Sequence, residues 1–166
     1  KFLDFLSQNS QFSKNLWKFS PKSNSSGSRR KSHGVPSTIL DKARVDLPSG
    51  DGPLLVLAPR GGSDDWPALE WTALPETIGQ RLKGLRCSEL AIGLGLQARA
   101  AVVACADVVL TSCPVTQSLA VFSGVPLVAL GGDPNAMPQR ADLRCLGRAD
   151  HLGDLQQNEV LQALGF

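Results

Sequence analysis

Short apolar runs that end in glycine, proline or small polar residues constrain the fold more than any other feature of this sequence. The clearest are Leu54–Ala58, Asp107–Thr111 and Pro126–Leu130. A strand that is apolar on both faces is typical of a parallel sheet covered by helices on both sides. The sequence therefore predicts an α/β domain built on a parallel sheet.

The segments between these runs predict two further strands and four helices. The strands are Arg86–Leu90 and Leu143–Leu146, and the helices are residues 69–82, Leu96–Ala106, Val115–Ser123 and Asn158–Leu164. Ser63 and Asp64 are expected to cap the first helix, and Pro75 is expected to interrupt it. Each strand leads into a loop at its carboxyl end, and ligands of open parallel sheets bind at that edge.

Charge divides the chain into two parts. Residues 1–50 hold nine Lys/Arg and three Asp/Glu, net +6, and residues 51–166 are net −4. We predict a basic, Ser-rich N-terminal segment and linker over residues 1–37, and a folded domain over residues 38–166. The short basic run Arg29–Lys31 lacks interleaved aromatic residues, which favours a plain linker over a nucleic-acid contact.

The chain has no pattern of a membrane span or a metal site. The long uncharged stretch Val108–Gly132 contains serines, prolines and a glutamine that a spanning helix rarely tolerates. Cysteines 87, 105, 113 and 145 form no Cys-x-x-Cys pair and have no neighbouring histidine, so we expect no metal, a reduced cytoplasmic setting and small buried thiols. The alternative for residues 1–31, with their phenylalanines and lysines, is an amphipathic anchor at the inner membrane surface.

Two loops are candidates for binding an anion. In Pro59–Pro67, adjacent glycines allow close backbone approach and Arg60 offers a fork of donors that suits phosphate. In Thr111–Gln117, a strand-to-helix turn directs free amides and the helix dipole toward the same edge. The ordinary alternative is that the glycines serve turn geometry and that Ser112 and Thr116 serve helix capping.

The two loops together resemble a known family. Ala106–Ser112 followed by Leu119–Gly132 is similar to the signature of family 9 glycosyltransferases, the heptosyltransferase-like enzymes of lipopolysaccharide assembly. Upstream, Leu57–Pro67 with Trp71 resembles the family's entry loop, in which a turn precedes Lys-x-Trp-Pro. The resemblance covers about residues 40–166 and corresponds to the C-terminal half of a two-domain GT-B fold.

The resemblance implies a Rossmann-like domain that binds a nucleoside diphosphate sugar, with an ADP-sugar expected and no tightly bound cofactor. The implied donor-binding residues are Arg60, Gly61, Gly62, Ser63, Ser112, Cys113, Thr116 and Gln117. The acceptor would be a lipopolysaccharide-type glycolipid or another saccharide, and nucleic acid is not an expected partner. Because the family's other domain holds the acceptor and the proposed base, we assign no catalytic residue here and expect this chain alone to be inactive.

Departures from the family pattern support a second hypothesis, a degenerate relative that serves as a binding or scaffolding module. Asp64 stands where the family has Lys, and Cys113-Pro114-Val115 stands where it has Asp-Ser/Thr-Gly. Asp64 and Asp65 would repel a diphosphate unless Arg60 or a divalent ion offset them. Cys113 as a nucleophile is a less favoured reading, because Pro114 removes an amide that would stabilise an oxyanion.

Overall fold

The computed structural model describes residues 36–166, so the expectations for residues 1–35 lie outside the described part. Its strands are β1 Leu54–Ala58, β2 Arg86–Glu89, β3 Val108–Thr111, β4 Leu127–Leu130 and β5 Leu143–Leu146. Its helices are α1 Ser37–Asp46, α2 Ala68–Arg81, α3 Leu96–Cys105, α4 Pro114–Ser123 and α5 Gln157–Leu164, with a 3-10 turn at Leu152–Asp154.

The five strands form one parallel sheet in the order β2-β1-β3-β4-β5. Alternate side chains of each central strand enter two separate apolar layers. Leu55 and Leu57 pack with α2 and α5 on one face, whereas Leu54 and Val56 pack with α3 and α4 on the other. The predicted α/β, Rossmann-like parallel sheet flanked by helices is therefore confirmed.

The start of α2 corrects two sequence expectations. Ser63 and Asp64 do not cap the helix, which begins after Trp66-Pro67 with Pro67 at its N-cap and with no side-chain cap bond. Pro75 lies inside a continuous helix rather than interrupting it. Proline removes one backbone donor, but Trp71, Leu74 and Ile78 of the same helix are buried against the sheet, and that burial outweighs the lost bond.

Helix α1 has no counterpart in the sequence predictions. It packs on α3 at the outside of the helix layer, and Ala43 is its buried contact residue. Six of the ten residues of α1 are polar or charged, so the apolar signal that would predict a packed helix is weak there. A groove of about 660 Å³ lies between α1, the end of β2 and α3, lined by Ile39, Leu47, Leu90 and Leu94 among others.

Candidate functional site

The strand order places a crevice between the carboxyl ends of β1 and β3. The chain moves outward from β1 to β2 and then returns across β1 to form β3, so the connections from the two central strands diverge to opposite sides. Such a switch point is where open α/β sheets bind ligands. The loops that follow β1 and β3 are the two that the sequence singled out as candidate anion sites.

Direct hydrogen bonds join these two loops. The Arg60 N–H donates to Ser112 Oγ at 2.8 Å, across a sequence separation of 52 residues. At the ends of the two strands, the Thr111 hydroxyl donates to the Ala58 carbonyl at 2.7 Å and accepts the Cys113 N–H at 2.9 Å. The structure therefore brings the predicted donor-loop residues and the start of α4 to one edge.

Asp65 holds the shape of the loop after β1. Its side chain is buried, and its two carboxylate oxygens accept the Gly61 N–H at 2.6 Å and the Trp66 N–H at 2.7 Å. The Asp65 carboxylate thus points toward the backbone of its own loop, where both of its oxygens accept hydrogen bonds. Asp64, by contrast, is exposed, and its carboxylate accepts from the Ser63 hydroxyl at 3.1 Å.

A side chain is disfavoured at Gly61 and at Gly62 for partly different reasons. Both adopt positive φ, +78° at Gly61 and +97° at Gly62, a region that strongly favours glycine. A Cβ on Gly61 would also lie 2.7 Å from Cδ1 of Ile92, which comes from the loop after β2. A Cβ on Gly62 would meet nothing within 4 Å. Gly62 and the exposed Ser63 therefore border open space beside Arg60, whose Nη2 donates to the Asp64 carbonyl at 2.9 Å.

Three of the residues that sequence analysis assigned to donor binding have buried side chains with partners inside the protein. Ser112 accepts the Arg60 N–H, and the Gln117 amide donates to the Leu130 carbonyl at 3.1 Å, which links α4 to β4. Thr116 is fully buried and accepts from Arg99 at 3.0 Å. These three side chains shape the site, whereas Arg60, Gly62, Ser63 and Cys113 lie at its surface.

Cys113 occupies the N-cap of α4 and is half-buried. Burial acts to raise the pKa of its thiol, but the backbone N–H groups of Thr116 and Val115, the Thr116 hydroxyl and the charge of Arg99 act against it, and the net pKa is below the ordinary value. Cys87 differs, since burial and the nearby Glu89 raise its pKa to about 11. The turn therefore favours negative charge at its surface.

Arg99 is the site residue that sequence analysis missed. It lies on α3 within an alanine-rich run, yet it is only 5% exposed. Its Nη1 donates to Thr116, and its Nη2 donates to the carbonyls of Ala91 and Ile92 at 3.0 and 3.1 Å. The sequence did contain a signal for this residue, an arginine among the alanines of an apolar helix. A long charged side chain that faces the sheet must find polar partners.

Residues 36–166 offer neither a metal cluster nor a membrane-spanning helix. That part of the chain gathers no three of its His, Cys, Asp or Glu side chains where they could hold a metal ion. Nor does it contain a helix with both the length and the apolar character needed to cross a bilayer.

Comparison with known proteins gives a likeness at the level of fold. The structure is similar to that of E. coli ADP-heptose lps heptosyltransferase II, with a TM-score of 0.60 and 17% sequence identity over 78% of this chain. The chain spans about half of that enzyme, 51% of its length. No protein-family model matches the sequence, and no curated protein matches it significantly. The chain has a heptosyltransferase-like fold.

Proposed function

We propose that this chain is the donor-binding half of a glycosyltransferase and holds a nucleoside diphosphate sugar at the carboxyl edge of its sheet. The observation that carries the proposal is the hydrogen bond between the Arg60 N–H and Ser112 Oγ, which joins the two candidate anion loops at the switch point. The heptosyltransferase-like fold adds support, since the E. coli neighbour bears ADP-heptose in its name.

In this proposal the diphosphate lies between the loop after β1 and the start of α4. The side chain of Arg60 and the exposed backbone of Gly62 and Ser63 face it from one side, and the first turn of α4 faces it from the other. The sugar acceptor, a glycolipid or another saccharide, and the base that activates it are assigned to a partner half. We propose no catalytic residue in this chain.

The test is titration of the full chain with ADP, UDP, GDP and their sugar conjugates, with and without magnesium, followed by thermal unfolding. A ligand at a hundred times its Kd stabilises a protein by about 2.7 kcal/mol, which raises Tm by roughly 5–10 °C at this size. We expect ADP and an ADP-sugar to give the largest shift. A flat response from a cooperatively unfolding chain would refute the proposal.

A pair of arginine substitutions tests where the ligand binds. Arg60→Gln removes the guanidinium of the β1 loop, and we expect it to weaken ADP binding about tenfold. Arg44→Gln is the matched control, because Arg44 is an exposed arginine of α1 whose partner is Asp41, 3.5 Å away. Equal affinities for the two variants would place the nucleotide elsewhere.

A second candidate function is that of a non-catalytic binding module. It is favoured because backbone N–H groups of the β1 loop donate to acceptors inside the protein. The N–H groups of Arg60 and Gly61 are both bonded within the protein, which leaves fewer amides for a phosphate. The double substitution Asp64→Lys and Cys113→Asp separates the two candidates. A gain in nucleotide affinity would indicate a decayed donor site, whereas unchanged binding would argue against a donor site at this edge.

A further inference from the structure

Arg99 is a buried cation that has no counter-ion among residues 36–166. No carboxylate of residues 36–166 lies within ion-pair distance of its guanidinium, whereas Arg140 has such a partner in Asp142. Its three acceptors are two carbonyls and one hydroxyl, all uncharged. Removing an unpaired charge from water is costly, so such a group calls for an explanation beyond packing.

The Arg99 guanidinium bonds to two elements that border the candidate site. Its acceptors Ala91 and Ile92 belong to the loop after β2, and Thr116 belongs to the first turn of α4. Ile92 in turn lies over Gly61, so Arg99 connects all three loops at the carboxyl edge. Its positive charge reaches the surface of the turn, where it helps to hold the pKa of Cys113 below the ordinary value.

We propose that Arg99 is a positioning residue whose positive charge is balanced by the negative charge of the ligand. The site would then select dianionic groups such as a diphosphate over uncharged ligands. The inference rests on the proposed function for the identity of the ligand, but not for the existence of an anion site. Arg99 acts through the loops that it connects and through its field. The groups that touch the anion are those of the β1 loop and of the α4 turn.

The experiment measures pyrophosphate binding to the full chain by thermal shift and calorimetry, against sodium chloride of equal ionic strength. Arg99→Lys keeps the charge, and Arg99→Gln removes it while keeping a donor. We expect Arg99→Gln to weaken pyrophosphate binding by about tenfold or more and Arg99→Lys to retain most of it. Equal binding by the wild type and Arg99→Gln, or equal loss in both variants, would overturn the inference.

Arg140→Gln is the control. Arg140 is also partly buried and also donates to carbonyls, but it has a carboxylate partner, Asp142, at 2.8 Å. It contacts the Val125 carbonyl, which precedes β4, and so lies at the opposite edge of the sheet. We expect this variant to bind pyrophosphate as the wild type does. A loss equal to that of Arg99→Gln would mean that any buried arginine produces the effect, and it would overturn the inference.

Alkylation of the wild-type chain tests the location without any substitution. We expect pyrophosphate to slow the reaction of iodoacetamide with Cys113, read by mass spectrometry, and to leave Cys87 unchanged. Absence of protection would overturn the inference even if the Arg99 variants failed to fold.

If pyrophosphate binds in an Arg99-dependent manner but ADP binds no more tightly, the anion site stands and the proposed function falls. If ADP binds the wild type and Arg99→Gln equally, the function stands and the role of Arg99 falls.

Discussion

Replacing Asp65 with Asn tests whether one buried carboxylate holds the β1 loop in shape. Asp65 offers two oxygens to two backbone donors, the Gly61 N–H at 2.6 Å and the Trp66 N–H at 2.7 Å. Asparagine has nearly the same volume but offers one oxygen and one NH₂ group. One of the two backbone N–H groups would therefore lose its acceptor and face another donor.

The expected cost follows from that count. A hydrogen bond to a charged acceptor contributes about 1.5–3 kcal/mol, and the second bond is weakened because the asparagine oxygen is neutral. We expect Asp65→Asn to lower the free energy of unfolding by about 2–4 kcal/mol, which lowers Tm by roughly 5–15 °C for a chain of this length.

The assay is urea and thermal unfolding followed by circular dichroism, with Asp64→Asn as the matched control. Asp64 is the exposed neighbour, and its carboxylate accepts from the Ser63 hydroxyl. We expect the Asp64→Asn change to stay within about 0.5 kcal/mol of the wild type. If the two variants lost equal stability, the carboxylate of Asp65 would not be what holds the loop, and this reasoning would be refuted.

Two further predictions concern the same edge. Gly62→Ala should lower the free energy of unfolding, measured in urea, by about 1–2 kcal/mol, because φ is +97° there although a Cβ has open space. Gly79→Ala is the control, since a Cβ also has open space there but the residue lies inside α2. It should raise the free energy of unfolding by up to about 1 kcal/mol. A loss of stability in both variants would contradict the backbone argument. Cys113 should react with iodoacetamide at lower pH than Cys87, since its pKa is lowered and that of Cys87 is raised to about 11. Reaction of both thiols at the same pH would contradict the electrostatics of the turn.

Much of the sheet could be predicted from the sequence, because buried parallel strands carry their signal locally. β1 Leu54–Ala58 and β5 Leu143–Leu146 have the predicted bounds, and the other three strands differ by one residue at an end. Pro75 shows where such reasoning fails. Its local preference against a helix interior is overridden by the packing of α2 on the sheet, which no nearby residue reveals.

The proximity of the two candidate loops was predictable from the sequence, but their contacts were not. The two loops stood out by their glycines and small polar residues, and the strand order brings them together. The inward turn of Asp65 and the burial of Arg99 could not be read from the sequence, because both depend on contacts with backbone atoms in three dimensions. The donor identity and the family assignment stay predictions, as does the domain boundary at residues 37/38.

The carboxylate of Asp65 holds the loop after β1 in shape, so the folding of this loop does not depend on a ligand. Since Asp65 satisfies the N–H groups of Gly61 and Trp66 without any ligand, folding alone is enough to maintain the loop outline. The shape of the loop would then persist in a variant that binds no ligand, while exchanges at the exposed residues Ser63 and Asp64 cost little stability. The residues that keep the loop folded are therefore different from those that a ligand would meet first.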